Sequence, residues 1–364
     1  MAPSRPLQHP ITSTDMSSQL HLLGYESKTA QLPTGHSYRY VDIHPPQGVK
    51  TIVTALLLHG FPDSAYGWRH QVKGWSGRGI RLIVPDALGY TGSSQPTNPE
   101  EYSFKRQSDN YEALIRQIGL PEGEKIILIA HDWGAGTANR LAQFKPDLIK
   151  GVANLCVPFF KPAPQYIPTE KLVEFLPSLE YQLFFVSPES ADIIDANVER
   201  FISIMYISAA QVESGEAPSF EKKGVIEAWL KDDSKSIQPA LLTKEELATI
   251  VKEIKAGVGF SAMLNYYRNR KFNYETEKDL PQDYRPEMPK LLILPNADPA
   301  IPLSMSTNIE KEFQNIEVVR LEGSCGHWVQ LERPVEIEKV VGEWVERMTT
   351  KQWSGAETGH KARY

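Results

Sequence analysis

Six short apolar runs recur along this chain, and helical patterns separate most of them. They comprise residues 53–58, 80–84, 125–130, 151–155, 290–294 and 316–321. Continuous apolar runs of this length are typical of strands that are covered on both faces. Stripes of apolar residues at helical spacing occupy residues 104–118 and 334–348. Alternating strands and helices predict an α/β fold with a doubly wound, mostly parallel sheet.

The stretch from residue 156 to residue 287 breaks this alternation. Six prolines fall within 31 residues near its start, and helical patterns follow at roughly 192–210, 224–231 and 244–256. We interpret this stretch as a helical lid that is inserted between two strands of the sheet. The predicted organisation is a flexible N-terminal arm (1–20), a first part of the core (21–155), the lid (156–287), a second part of the core (288–349) and a flexible tail (350–364).

Charge and cysteine content limit the possible partners and the compartment. The formal net charge is −6, from 39 basic and 45 acidic side chains, which gives no electrostatic reason to expect nucleic acid or an anionic membrane as partner. Two cysteines, Cys156 and Cys325, are too few for a disulfide framework. Because no segment approaches the roughly 18 apolar residues of a membrane span, we expect a cytoplasmic protein without membrane insertion. The oligomeric state stays open.

The segment Ala130-His131-Asp132-Trp133-Gly134 follows a predicted strand and precedes a helix that is rich in small residues. This order is typical of a nucleophile elbow, in which flanking small residues permit a sharp turn that lifts the nucleophile above the sheet. Asp132 occupies the position where serine is usual. The structural alternative is an aspartate that caps the following helix.

Two other loops supply the groups that such a nucleophile requires. Phe61 follows an earlier strand, where the second backbone N–H donor of an oxyanion hole belongs, beside the N–H of Trp133. His327 lies in a glycine-flanked loop after the last strand, where the histidine of a catalytic triad is expected. Asp298 follows the penultimate strand, 29 residues earlier, and is the candidate acid because the strand after the elbow ends without a carboxylate. Turn residues are the structural alternative for these loops.

These motifs resemble the epoxide hydrolases of the α/β-hydrolase superfamily over roughly residues 30–350. The resemblance rests on His59-Gly60-Phe61-Pro62, on 131–135, on Gly326-His327-Trp328 with Gln330 and 332–334, and on the lid segments 181–185 and 265–269. It implies an α/β-hydrolase fold with a lid. In that family each lid segment supplies a tyrosine that points at the substrate oxygen, which implies Tyr181 and Tyr267. The adjacent Tyr266 is the alternative for the second tyrosine.

An aspartate nucleophile restricts the possible reactions. A carboxylate that attacks a saturated carbon gives an ester, a reasonable intermediate, whereas attack on an acyl group gives a labile anhydride. The substrate is therefore expected to be an epoxide or an alkyl halide, and His327 with Asp298 would activate the water that hydrolyses the ester. Two phenols suit a departing alkoxide. A haloalkane dehalogenase, with the indole of Trp133 as halide donor, is the alternative.

Further expectations concern the substrate and other classes of protein. Aromatic residues of the lid predict a small apolar substrate, and we expect His59, Phe159, Phe185 and Trp328 to bind it. We expect no metal or organic cofactor, because the catalytic set is complete without one. A relative that isomerises or cyclises an epoxide in a biosynthetic pathway would use the same site and stays possible. A non-catalytic receptor is disfavoured, since all the candidate triad residues are present.

Overall fold

The computed structural model describes residues 23–121 and 123–350. Its centre is an eight-stranded sheet with the order β1-β2-β4-β3-β5-β6-β7-β8. The strands are β1 (Ser27–Gln31), β2 (Ser37–Ile43), β3 (Val53–Leu58), β4 (Ile80–Pro85), β5 (Ile126–His131), β6 (Ile149–Leu155), β7 (Lys290–Leu294) and β8 (Ile316–Arg320). Strand β2 pairs antiparallel with both β1 and β4 at one edge, and all other neighbours are parallel. The predicted α/β class is confirmed.

Helices flank the sheet and fill the connection between β6 and β7. Before that connection come α1 (Val72–Gly77), α2 (Phe104–Ile118) and α3 (Trp133–Phe144). Within it are α4 (Thr169–Phe175), α5 (Tyr181–Val186), α6 (Ser190–Asp195), α7 (Val198–Met205), α8 (Ala209–Glu213), α9 (Val225–Lys231), α10 (Lys244–Ala256), α11 (Phe260–Met263), α12 (Asn265–Arg268) and α13 (Arg270–Glu277). After it follow α14 (Ile309–Glu312), α15 (Val329–Glu332) and α16 (Pro334–Thr349).

The central strands are buried on both faces because helices cover each side of the sheet. Successive side chains of a strand point to opposite faces, so they enter two different cores. Leu56 and Leu128 pack in the cluster that contains side chains of α2 and α3. Leu57 and Ile129 pack in the cluster that contains side chains of α1 and α16. This two-sided burial explains why these strands appear in the sequence as continuous apolar runs.

The six predicted strands correspond to β3–β8, but β1 and β2 were not predicted. Strand β1 has the sequence Ser-Lys-Thr-Ala-Gln and buries one residue, Ala30. An edge strand with one neighbour can stay polar and half-exposed, so it leaves no apolar run in the sequence.

The predicted helix at 192–210 is wrong in extent, because three helices, α6, α7 and α8, occupy this stretch. The side chain of Ser208 accepts a hydrogen bond from the N–H of Gln211 and starts α8 with a capping box. This new start separates α8 from α7. The predicted helices at 224–231 and 244–256 correspond to α9 and α10. We keep the name lid for residues 156–287.

The predicted arm (1–20) and all of the predicted tail except Thr350 lie outside the described residues. Across the described ranges, no helix is both long enough and apolar enough to cross a membrane. Cys156 and Cys325 are buried free thiols.

Candidate active site

Asp132 lies at the turn between β5 and α3, where the sequence predicts the elbow. Its backbone has φ 51° and ψ −123°, an unusual conformation for a residue with a side chain. Gly134 permits this turn, because a Cβ atom there would lie 2.2 Å from the carbonyl oxygen of Leu58. The carboxylate does not make the usual capping hydrogen bond to the second or third N–H of α3. The helix-cap alternative is therefore wrong, and the carboxylate lines the cavity beneath the lid.

Two backbone N–H groups hold the carboxylate of Asp132. Phe61 donates its N–H to Oδ1 at 2.7 Å, and the N–H of Trp133 also hydrogen-bonds to this carboxylate. Burial raises the pKa of Asp132, and although His327 and both N–H groups act against it, the pKa stays above its ordinary value. The two predicted oxyanion-hole donors thus converge on the predicted nucleophile.

His327 lies between two carboxylates. Its Nδ1 atom is 2.8 Å from Oδ2 of Asp298, and its Nε2 atom is 3.6 Å from Oδ2 of Asp132. The other oxygen of Asp298 accepts the N–H groups of Ala300 at 2.8 Å and Ile301 at 2.9 Å. Burial lowers the pKa of His327, but the charge and hydrogen bond of Asp298 outweigh it and raise the pKa to about 9. The free site therefore holds an imidazolium between two carboxylates at neutral pH.

The main chain of His327 is held by side chains to which sequence reasoning gave no role. The carbonyl oxygen of His327 accepts hydrogen bonds from Nε2 of His131 at 2.8 Å and from Sγ of Cys156 at 2.9 Å. Since Nε2 of His131 must donate, its Nδ1 accepts from the amide of Gln330, 3.3 Å away. Burial lowers the pKa of His131 well below its usual range, so this ring stays neutral.

His131, Cys156 and His327 also form a group whose ligand atoms lie within 4.8 Å of one another in the described part of the chain. The hydrogen bonds of the first two to the carbonyl of His327 already use Nε2 and Sγ. We therefore assign His131 and Cys156 a structural role. The expectation that the enzyme needs no metal stays a prediction.

A cavity separates Asp132 from the lid, and Tyr181 and Tyr267 both line it. Their ring centroids lie 6.3 Å apart. Burial raises the pKa of each phenol, and the charge of Asp132 raises it further, so both phenols are neutral proton donors at pH 7. Tyr266 is excluded from the cavity lining because its hydroxyl donates to the carbonyl of Leu88 at 3.0 Å.

The cavity wall also contains Phe61, Gly326, His327 and Trp328 from the predicted site loops. The rest of the wall is mostly apolar and comes from residues to which sequence reasoning gave no role. Pro299 and Ala300 follow Asp298 in sequence, and the others come from the lid: Met205, Ile207, Ser208, Ala209, Val212 and Phe220. Their spacing carries no signal that distinguishes a cavity wall from ordinary core packing.

Of the four predicted substrate-binding residues, Trp328 lines the cavity and three lie outside its lining. His59 is held by the main chain, since its Nε2 accepts the N–H of Ala87 at 2.9 Å. Phe159 packs against Tyr284, with ring centroids 5.8 Å apart. Phe185 is fully buried and supports both tyrosines from behind, at 5.3 Å and 4.9 Å between ring centroids.

This fold and site define an enzyme of the α/β-hydrolase class, and comparisons with known proteins agree. A family model described as alpha/beta hydrolase fold matches residues 55–200. An epoxide hydrolase of Neurospora crassa is 31% identical over 323 residues, which cover 86% of this chain and 93% of the relative. Epoxide hydrolase A of Mycobacterium tuberculosis is 29% identical over 80% of this chain and 89% of its own.

The similarity extends to solved structures. The crystal structure of epoxide hydrolase A from Mycobacterium thermoresistibile has a TM-score of 0.71 and 28% identity, covering 88% of this chain and 98% of that one. The chain belongs to the epoxide hydrolase family of the α/β-hydrolase fold, which confirms the resemblance seen in the sequence.

Proposed function

We propose that this protein hydrolyses an apolar epoxide to a vicinal diol through a covalent ester on Asp132. The observation that carries the proposal is the position of Asp132. Its Oδ1 atom is held by the N–H of Phe61, and its carboxylate shares one cavity with Tyr181 and Tyr267. The names of the relatives support an epoxide as substrate.

In the first step, a carboxylate oxygen of Asp132 attacks one carbon of the epoxide ring. The C–O bond at that carbon breaks, and its electron pair goes to the ring oxygen. The phenols of Tyr181 and Tyr267 hydrogen-bond to this oxygen, and one of them gives it a proton. Attack needs no base, because the nucleophile is already an anion.

Formation of the ester changes the charge around His327. The charge of Asp132 is one of the causes that raise the pKa of this histidine, and the ester is neutral. The pKa of His327 therefore falls, and the imidazolium gives its proton to the phenolate left by the first step. The neutral imidazole, held by Asp298, is then ready to act as a base.

In the second step, His327 takes a proton from water, and the resulting hydroxide attacks the ester carbonyl of Asp132. The N–H groups of Phe61 and Trp133 stabilise the oxyanion. Collapse of the tetrahedral intermediate releases the diol, which receives the proton from His327. The carboxylic acid left on Asp132 then gives its proton to His327, which restores the starting state with one oxygen of water in the carboxylate.

The variant His327→Gln tests this sequence of steps. It should open the epoxide once and accumulate a protein that is heavier by the mass of the substrate, as measured by intact-protein mass spectrometry. Asp132→Asn is the matched control and should stay unmodified. If a folded His327→Gln variant neither gains this mass nor consumes epoxide, His327 is not confined to the second step, and the proposed sequence of steps is wrong.

A further inference from the structure

The carboxylate of Glu332, at the end of α15, joins the loop of the catalytic histidine to the lid. Its Oε1 atom accepts the N–H of Gly326 at 3.0 Å, and its Oε2 atom accepts the N–H of Ala209 at 3.1 Å. We propose that Glu332 is a positioning residue that fixes His327 relative to the lid for hydrolysis of the ester. This inference rests on the role proposed above for His327.

Both partners of Glu332 belong to the wall of the active-site cavity. Gly326 directly precedes His327, and Ala209 is the first residue of lid helix α8. One carboxylate therefore sets the distance between the base and the lid segment that faces it. Hydrogen bonds to a charged acceptor are stronger than neutral ones, so this link resists displacement of either segment.

The packing around this link leaves little room for adjustment. A Cβ atom on Gly326 would lie 2.8 Å from Oε1 of Glu332 and 3.3 Å from the nitrogen of Ala209. Glycine at 326 thus permits the close approach that Glu332 bridges.

A second contact ties the same loop to the lid. The indole N–H of Trp328 donates to the carbonyl of Met205 at 2.6 Å, and its ring stacks on Tyr206 at 4.3 Å with an interplanar angle of 12°. These contacts hold the residue after His327, whereas Glu332 holds the residue before it.

The position of His327 matters most in the second step. Water must fit between its Nε2 atom and the ester carbonyl, and small misplacements of a catalytic group are costly. Attack by Asp132 on the epoxide does not use His327. Loss of the two hydrogen bonds of Glu332 should therefore leave the rate of alkylation unchanged. The titratable groups that face His327 are Asp132, Asp298, Glu332 and the neutral ring of His131, and the charge of Glu332 is one of the causes that raise the pKa of His327. Removing that charge should lower the pKa of the base.

The experiment measures ester formation and ester hydrolysis separately, in single turnovers across a range of pH. In Glu332→Gln, the amide keeps the shape and one acceptor but loses the charge and the second acceptor. Hydrolysis should slow about tenfold or more, with alkylation within about twofold of wild type and the midpoint of the hydrolysis pH profile displaced downwards. Glu332→Asp keeps the charge but is too short to reach both N–H groups, so it should slow hydrolysis and keep the wild-type midpoint.

Glu213→Gln is the matched control. Glu213 also joins α8 to the histidine loop, by accepting the hydroxyl of Ser324 at 2.6 Å, but this contact is exposed. The Glu213→Gln variant should leave the rates of both ester formation and ester hydrolysis unchanged.

If Glu332→Gln hydrolyses the ester at the wild-type rate, the positioning role is wrong. It is also wrong if the rates of both steps fall equally and the melting temperature of the variant is lower. Failure of the proposed function would look different. In that case neither wild type nor His327→Gln would form an ester, and the inference about Glu332 would fall with it.

Discussion

The Nε2 atom of His327 lies 3.6 Å from Oδ2 of Asp132. In the free enzyme this contact pairs a cation with an anion, since the pKa of His327 is raised to about 9. In the proposed pathway the same contact becomes uncharged once Asp132 is esterified and His327 has lost its proton. His327 would therefore be protonated before Asp132 attacks the epoxide and neutral when water attacks the ester.

From this relationship we predict that the two steps respond differently to pH. Alkylation needs the Asp132 carboxylate, so it is lost only as pH falls through the pKa of Asp132. Hydrolysis needs the neutral imidazole, so its rate falls as pH drops through the pKa of His327 in the ester. Hydrolysis is therefore lost at a higher pH than alkylation. The steady-state fraction of esterified enzyme should rise as pH is lowered through the pKa of His327 in the ester, which we expect below the value of about 9 in the free enzyme. Quenched-flow mass spectrometry measures this fraction, and an ester fraction that falls with decreasing pH would contradict the assignment of His327 as base.

The variant Asp298→Asn should impair hydrolysis of the ester far more than its formation. The N–H groups of Ala300 and Ile301 should keep the amide oxygen, so the amide NH₂ would face Nδ1 of His327. Nδ1 must then accept a hydrogen bond, which places the single ring proton on Nε2. Because Nε2 already carries a proton, it cannot take another from water. In related triads the wrong tautomer costs on the order of 10⁴-fold.

Single-turnover hydrolysis rates check this prediction, with the exposed Asp283→Asn as a control. If the Asp298→Asn variant hydrolyses the ester at the wild-type rate, Asp298 is only a turn residue.

The variants Tyr181→Phe and Tyr267→Phe should each slow alkylation by an epoxide, and the double variant should nearly abolish it. Loss of one donor to a developing oxyanion costs about 100- to 1000-fold, although one remaining phenol can compensate in part. Tyr266→Phe is a matched control, because its hydroxyl bonds to the core rather than lining the cavity. It should affect stability and leave ring opening unchanged.

A primary alkyl bromide of similar shape tests the dehalogenase alternative in the same variants. A halide leaves without a proton, so removal of the phenols should matter much less for it. The indole of Trp133, the expected halide donor, already hydrogen-bonds to Tyr267, which also favours the epoxide. If wild type preferred the bromide and the double variant kept both activities, the tyrosines would be packing residues.

Part of this site could be predicted from the sequence because local chain geometry determines it. The elbow requires small residues around Asp132, and parallel strands bring the residues after their carboxyl ends to one edge of the sheet. Phe61, Asp298 and His327 therefore had to lie near Asp132.

The rest depends on contacts between distant segments that leave no local pattern. Phe159 is as aromatic as Trp328, yet it packs against Tyr284 in the core while Trp328 faces the cavity. Glu332 looks like an ordinary charged residue at a helix end, and its two hydrogen bonds form only where the lid meets the histidine loop.

The most direct test of the covalent pathway is a single turnover in oxygen-18 water with enzyme in excess over epoxide. Mass analysis of the peptide that contains Asp132 and of the released diol locates the heavy oxygen. We predict label in the carboxylate of Asp132 and an unlabelled diol, because water attacks the ester carbonyl rather than the epoxide. A labelled diol with an unlabelled Asp132 peptide would mean that water opens the ring directly, and it would contradict the assignment of Asp132 as nucleophile.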